Sequence, residues 1–142
     1  MQVKEIMTRE VEVIQPDNTL EEAAKKMKDL DIGPLPVCEN NRPVGMLTDR
    51  DIAVRSTAQG EDPTMDRVRD VMTSEVISCF EDEDVAVAAR LMKEKQVRRL
   101  LVLSREDNRL VGILSLDDLA VRTGDEVVSG NTLEGVAWPA VP

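Results

Sequence analysis

The chain has no histidine and no tyrosine, and its only aromatic residues are Phe80 and Trp138. Without histidine, the usual general acid–base group and the commonest metal ligand are both missing. Two aromatics cannot build the stacking platform that single-stranded nucleic acid needs. Cys38 and Cys79 are too few, by themselves, for a structural zinc site. Positive charge is scarce too: 18 Lys and Arg against 28 Asp and Glu leave a net charge of −10. Nucleic acid and anionic membrane are therefore not expected partners, because polyanions demand clustered cations. No apolar run approaches the roughly 20 residues of a membrane span. Met1 to Ile6 lacks the apolar stretch of a secretory signal, so a cytoplasmic location is expected. These absences leave little from which to build an enzyme. What remains is 142 residues, 42% of them hydrophobic, enough for one compact domain or two small ones.

Self-comparison shows a duplication. At an offset of 65 (68 − 3), Val3-Lys-Glu-Ile-Met-Thr8 faces Val68-Arg-Asp-Val-Met-Thr73. The same register pairs Glu10-Val11 with Glu75-Val76, Ala23-Ala24 with Ala88-Ala89, Met27-Lys28 with Met92-Lys93, and Leu35 and Val37 with Leu100 and Val102. The offset becomes 67 (111 − 44) after the insertion near Asp107 and Asn108. Val44-Gly-Met-Leu-Thr48 then faces Val111-Gly-Ile-Leu-Ser115, and Asp51 to Arg55 faces Asp118 to Arg122. Register kept over this length marks a tandem repeat.

Each copy reads as strand, helix, strand, strand, helix, an α+β pattern. In the first, Val11 to Ile14 predicts a short strand closed by Pro16 and Asp17. Thr19-Leu-Glu-Glu22 predicts a capping box, followed by a helix burying Leu20, Ala23, Ala24, Met27 and Leu30 and ending at Gly33-Pro34. Leu35 to Cys38 and Val44 to Leu47 predict a hairpin around Asn40-Asn41-Arg42-Pro43, and a last helix runs from about Asp49 to Ser56. In the second, acids at Glu81 to Asp84 suit a helix start, and Val85, Ala88, Ala89 and Met92 form its buried stripe. Leu100 to Leu103 and Leu110 to Leu114 form the hairpin, and Asp117 to Thr123 the final helix. The expected division is 1–56, a polar linker 57–66, 67–123, and a tail 124–142. A copy of about 55 residues buries too little alone, so the two are expected to share a core about a pseudo-two-fold axis.

The element order and these segments resemble a tandem pair of cystathionine-β-synthase (CBS) domains, a Bateman module, over residues 1–123. The specific parts are the two lead-ins, the strand Leu35-Pro-Val-Cys38, and the heptapeptides Gly45-Met-Leu-Thr-Asp-Arg-Asp51 and Gly112-Ile-Leu-Ser-Leu-Asp-Asp118. Both heptapeptides match the family pattern of Gly, two apolar residues, Thr or Ser, any two residues, then Asp. The resemblance implies adenosine-nucleotide sites in clefts between the repeats. Asp51 and Asp118 would accept hydrogen bonds from the ribose diol. Thr48 and Ser115 would meet phosphate through hydroxyl and backbone N–H. Gly45 and Gly112 would permit close backbone approach, and adenine would lie near Val11 to Ile14 and Val76 to Cys79. Arg50, Arg98 and Arg99 would supply the positive charge. Asp117 stands where the first copy has Arg50, and Gly33-Pro34 where the second has Arg98-Arg99, so the two sites are unequal. Lys4, Arg55, Arg69 and Arg122 read better as solvated surface cations.

A second reading of the same residues stays open: Thr48-x-x-Asp51 and Ser115-x-x-Asp118 are also helix N-caps. Cys38 and Cys79 replace aliphatics of the other copy and read as buried apolar residues, with a redox pair possible only within about 7 Å. The tail reads either as a disordered end or, as its apolar spacing favours, as a segment that docks on its own module or on a dimer partner with Trp138 as anchor. The resemblance implies a non-enzymatic regulatory protein with AMP, ADP or ATP as ligands, NAD or S-adenosylmethionine as further candidates, a homodimer, and a protein partner that the sequence does not name. The alternative is an interaction scaffold with empty sites.

Overall fold

The computed structural model describes residues 1–122; the expectations for the tail 124–142 and for Trp138 lie outside the described residues. A 3-10 turn at Val3–Glu5 is followed by α1 (Leu20–Leu30), β1 (Pro34–Glu39), β2 (Arg42–Thr48) and the single turn α2 (Asp49–Asp51). A π-helical turn at Ile52–Ser56 and a 3-10 turn at Thr57–Gln59 come next. Then come α3 (Val68–Val71), β3 (Ser78–Phe80), α4 (Val85–Lys95), β4 (Arg99–Leu103), β5 (Leu110–Ser115) and α5 (Leu116–Arg122). The class is α+β. Antiparallel β1 and β2 form one sheet; β3, β4 and β5 form another, with β3 parallel to β4 and β4 antiparallel to β5.

The compact units cut across the repeats. Met1–Val11 folds with the second copy from Ile77 onward, while Glu12–Val76 forms the other unit. The boundaries 1–56 and 67–123 therefore describe the duplication but not the folded bodies, because each copy's lead-in belongs to the other copy's unit. The apolar interior follows suit in two clusters. Val3, Ile6 and Met7 join Cys79, Ala88, Met92, Leu100, Val102, Leu114 and Leu119 in one. Val68 and Val71 join Ile14, Leu20, Ala23, Met27, Leu35, Val37 and Leu47 in the other.

The predicted strand at Val11 to Ile14 shrinks to a single parallel bridge between Ile14 and Val37. Ile14 N–H donates to the Pro36 carbonyl and Cys38 N–H to the Ile14 carbonyl, both near 3 Å (3.0 and 2.9 Å). In the second copy the ladder runs further in both directions, with Leu101 N–H donating to the Ile77 carbonyl and Glu81 N–H to the Leu103 carbonyl. The residues aligned with those two donors are Pro36 and Pro16. Proline has no N–H, so both extensions are chemically unavailable to the first copy. In the same segment the Val13 carbonyl takes a hydrogen bond from Lys26 Nζ at 2.6 Å.

Helix α1 starts as predicted, with Thr19 Oγ1 accepting from Glu22 N–H at 3.2 Å. The Glu22 carboxylate does not close a box; it accepts from Asn18 Nδ2. The expected linker does capping work: the Asp66 and Pro63 carbonyls accept from the N–H groups of Leu20 and Glu21, two donors that a helix start leaves without partners. The helix stops at Leu30, before Gly33-Pro34, because Asp31 turns left-handed (φ 54°). Aligned Gln96 ends α4 the same way (φ 55°). Leu20, Ala23 and Met27 are buried, but Ala24 faces out and Leu30, in the last turn, is exposed. The first hairpin turns on Asn40-Asn41 alone, both at positive φ (53° and 64°). That is the demand of a tight two-residue hairpin turn, which asparagine tolerates. Arg42 and Pro43 consequently fall in β2, where Pro43 faces Cys38 beside a bulge.

Candidate functional site

The two heptapeptides form the junctions where β2 runs into α2 and β5 into α5. Thr48 Oγ1 accepts from Asp51 N–H (3.1 Å) while Asp51 Oδ2 accepts from Thr48 N–H (3.0 Å). Ser115 Oγ accepts from Asp118 N–H (3.0 Å) and Asp118 Oδ2 from Ser115 N–H (2.9 Å). Both are reciprocal capping boxes, here closed by Asp rather than Glu or Gln. All four residues are half-buried.

This geometry alters one expectation. The backbone N–H groups of Thr48 and Ser115 are engaged by carboxylates and are not open to phosphate. Each hydroxyl accepts at its oxygen, and its own O–H proton remains the group suited to donate outward. The capping box also fixes each carboxylate against the strand end, so the acid that would meet a diol is already oriented.

The glycines have a definite structural use. A Cβ on Gly45 would lie 2.7 Å from the Thr73 carbonyl oxygen and 2.8 Å from Met72 Sδ. On Gly112 it would lie 2.6 Å from Met7 Sδ and 2.9 Å from the Thr8 carbonyl oxygen. The close approach observed at each is by the exchanged lead-in. That segment pairs with the neighbouring strand residue through two hydrogen bonds, Thr73 with Met46 (both 2.8 Å) and Thr8 with Ile113 (both 2.9 Å).

Of the predicted cations, Arg99 pairs directly with Ser115 across the β4–β5 ladder, and the Arg98 carbonyl accepts from Leu116 N–H at 2.9 Å. Arg98 and Arg99 therefore stand at the Ser115–Asp118 junction, with both side chains exposed. At the first junction Pro34 pairs with Thr48 and the Gly33 carbonyl takes Asp49 N–H. Arg50 is exposed in the single turn α2 beside it. The structure thus brings cations to both junctions by different routes.

Sequence reading names Arg55 only as a further candidate that reads better as a solvated surface cation. Its Nε lies 3.9 Å from Asp51 Oδ1 and its Nη1 donates to the Val71 carbonyl at 3.3 Å, so it is not a free surface cation. The acid-to-base spacing of four residues was the available signal. Arg69, also read as solvated, pairs with Asp17. The side chain of Arg122, aligned with Arg55, lies outside the described residues.

Cys38 and Cys79 are both free and 4% exposed. Burial pushes the Cys38 thiol up to about 11; burial, then the Glu83 charge, pushes Cys79 up to about 12. Such thiols stay protonated at neutral pH and are inert, as buried apolar residues should be. Among the described residues no three His, Cys, Asp or Glu side chains converge as metal ligands. No helix of these residues is long and apolar enough to cross a membrane.

Comparison with known proteins agrees with this duplicated architecture. The family model for the CBS domain matches twice, over residues 3–56 and 68–122. The chain is 41% identical over 135 residues to the CBS domain-containing protein YhcV of Bacillus subtilis, covering 95% of this chain and 94% of that protein. It is 36% identical over 118 residues to hypoxic response protein 1 of Mycobacterium tuberculosis, covering 82% and 81%. The crystal structure of Hypoxic Response Protein I with two coordinated zinc ions superposes with a TM-score of 0.76 at 34% identity, covering 86% of this chain and 98% of that one. The CBS domain pair of protein MJ0100, in complex with 5-methylthioadenosine and S-adenosylmethionine, gives a TM-score of 0.72 at 28% identity over 87% and 96%. With two family matches spanning nearly all of the described residues, the chain belongs to the CBS-domain family as a tandem pair of CBS domains.

Proposed function

We propose that the protein is a non-enzymatic regulatory module that binds adenine nucleotides and conveys their presence to a protein partner. The observation that carries this reading is the pair of part-buried carboxylates, Asp51 and Asp118, each held in place by the N–H group three residues before it. An oriented carboxylate costs little further ordering when it receives two vicinal hydroxyls. The adenosine ligands of the MJ0100 pair support the same ligand class here. AMP, ADP and ATP are the first candidates, S-adenosylmethionine and NAD the next. Ser115 and Thr48 would donate through their hydroxyls, Arg98 and Arg99 would attract phosphate at one junction and Arg50 at the other. A homodimer is the proposed assembly, and sedimentation velocity at micromolar concentration tests it directly.

A second reading, an interaction scaffold with empty sites, is favoured by one fact: the capping boxes alone account for all four junction residues. Thermal denaturation with each candidate ligand separates the two. A ligand at about 100 times its Kd should stabilise by roughly 2.7 kcal/mol. The Asp51→Asn, Asp118→Asn double variant keeps an acceptor for each capping N–H and should lose that shift. An equal shift in the double variant would remove the two aspartates from the site. No shift in nucleotide-free wild type with any ligand would leave the scaffold reading.

A further inference from the structure

Asp51 has one carboxylate oxygen committed to the backbone and one that is not. Oδ2 accepts from Thr48 N–H, whereas Oδ1 faces the long 3.9 Å ion pair with Arg55 Nε. The same guanidinium donates through Nη1 to the Val71 carbonyl. Val71 ends α3, where Met72 N–H closes the last turn on the Val68 carbonyl, and Thr73 holds the exchanged lead-in on the hairpin through two hydrogen bonds with Met46. One side chain therefore touches both the oxygen that a diol would use and the segment packed against Gly45.

We propose that Arg55 is a latch that couples occupancy of Asp51 to the hold of the lead-in 68–73 on β2. The proposal rests on the nucleotide reading above and names how that site would be regulated. A hydroxyl at hydrogen-bond distance competes for Oδ1 against an ion pair that is too long for a hydrogen bond. Arg55 is 53% exposed, so the pair is weak and readily displaced. Once the guanidinium leaves Oδ1, it loses the anchor that keeps it on the Val71 carbonyl, and the lead-in is held by its own backbone bonds alone. By linkage, whatever ligand binding does to the latch, opening the latch does to ligand binding. Arg55 is thus a positioning residue, acting on the site through Asp51.

The test is amide hydrogen exchange of the full chain, free and with saturating AMP, ADP or ATP, together with calorimetric titration of wild type and Arg55→Gln. In wild type, bound nucleotide should speed exchange at Met46, Met72 and Thr73, the reverse of the protection that binding usually brings. Arg55→Gln should show the faster exchange without ligand, no further change with it, and nucleotide affinity raised by about two- to fivefold. Weaker binding by the variant would mean that the guanidinium contacts the ligand itself, and would overturn the latch. Unchanged or slowed exchange at those amides in nucleotide-bound wild type would overturn it as well, and this arm needs no variant to fold. If wild type binds none of the three nucleotides, the nucleotide reading and the latch fall together; binding without the exchange change removes the latch alone.

Discussion

Residues 12–16 and 77–81 occupy the same place in the duplicated repeat, yet only the second stretch contains a strand. The apolar residues are equivalent, with Ile14 aligned to Cys79 and both buried. What differs is two N–H donors, removed in the first copy by Pro16 and Pro36 and present in the second as Glu81 and Leu101. Hydrophobic pattern chose the face that goes inside, while donor chemistry chose how far the ladder could run. The last helices differ similarly. α5 continues as regular helix from Leu116, whereas the first copy passes after Asp51 into a π-helical turn, where Ser56 is wholly buried and its Oγ has no hydrogen-bond partner among the described residues. The site junctions nevertheless keep matching capping boxes. A duplication can therefore drift in its ladders and helix winding while the local geometry at its two carboxylates is kept.

The largest expected effect probes what the two units have most in common, the seating of a lead-in on a glycine. Gly45→Ala and Gly112→Ala should each cost about 1–3 kcal/mol in urea unfolding, as overpacking does. The former should cost more, because its nearest neighbour is a backbone oxygen, whereas at Gly112 it is the sulfur of a methionine side chain. Equal and negligible losses at both would show that the lead-ins are not seated as described. Next come the caps: Thr48→Ala and Ser115→Ala should each destabilise the ligand-free protein by about 0.5–2 kcal/mol, with Thr48→Ser close to wild type. A marked inequality between the two would break the equivalence of the junctions. The smallest effect sharpens the contrast between the helices. Ser56→Ala removes a buried hydroxyl without a partner, so it should be neutral or stabilising by up to about 1 kcal/mol; a clear loss of stability in the same unfolding experiment would mean that the hydroxyl is satisfied after all.

The hairpins, the N-cap of α1 and the two junctions were legible because they rest on short-range rules: apolar spacing, turn residues and a hydroxyl three residues before an acid. The reading of Thr48 and Ser115 as caps and as site residues described the same atoms, and the structure shows how far capping consumes them. Leu30 was misread because it keeps helical spacing with Met27 yet is the last residue of α1, where the chain turns left-handed at Asp31 and leaves it exposed. Arg55 was half legible. Its spacing from Asp51 is local, but its bond to the Val71 carbonyl joins residues 16 apart through a backbone atom, which leaves no mark on side-chain identity.

By itself the sequence determined that the protein is a duplicated α+β chain, poor in the groups that catalysis uses, with a hydroxyl and an acid at each strand-to-helix junction. These properties follow from composition and from interactions within a few residues. Only the tertiary structure decided that each lead-in completes the other copy's core, and that Gly45 and Gly112 make room for it. It also decided that the linker carbonyls of Pro63 and Asp66 cap α1. The reason is that the hydrogen bonds that seat the lead-ins and cap α1 join backbone to backbone across long sequence separations. Every residue but proline carries the same N–H and C=O, so their pairing is written in where the chain goes and not in which side chains it bears.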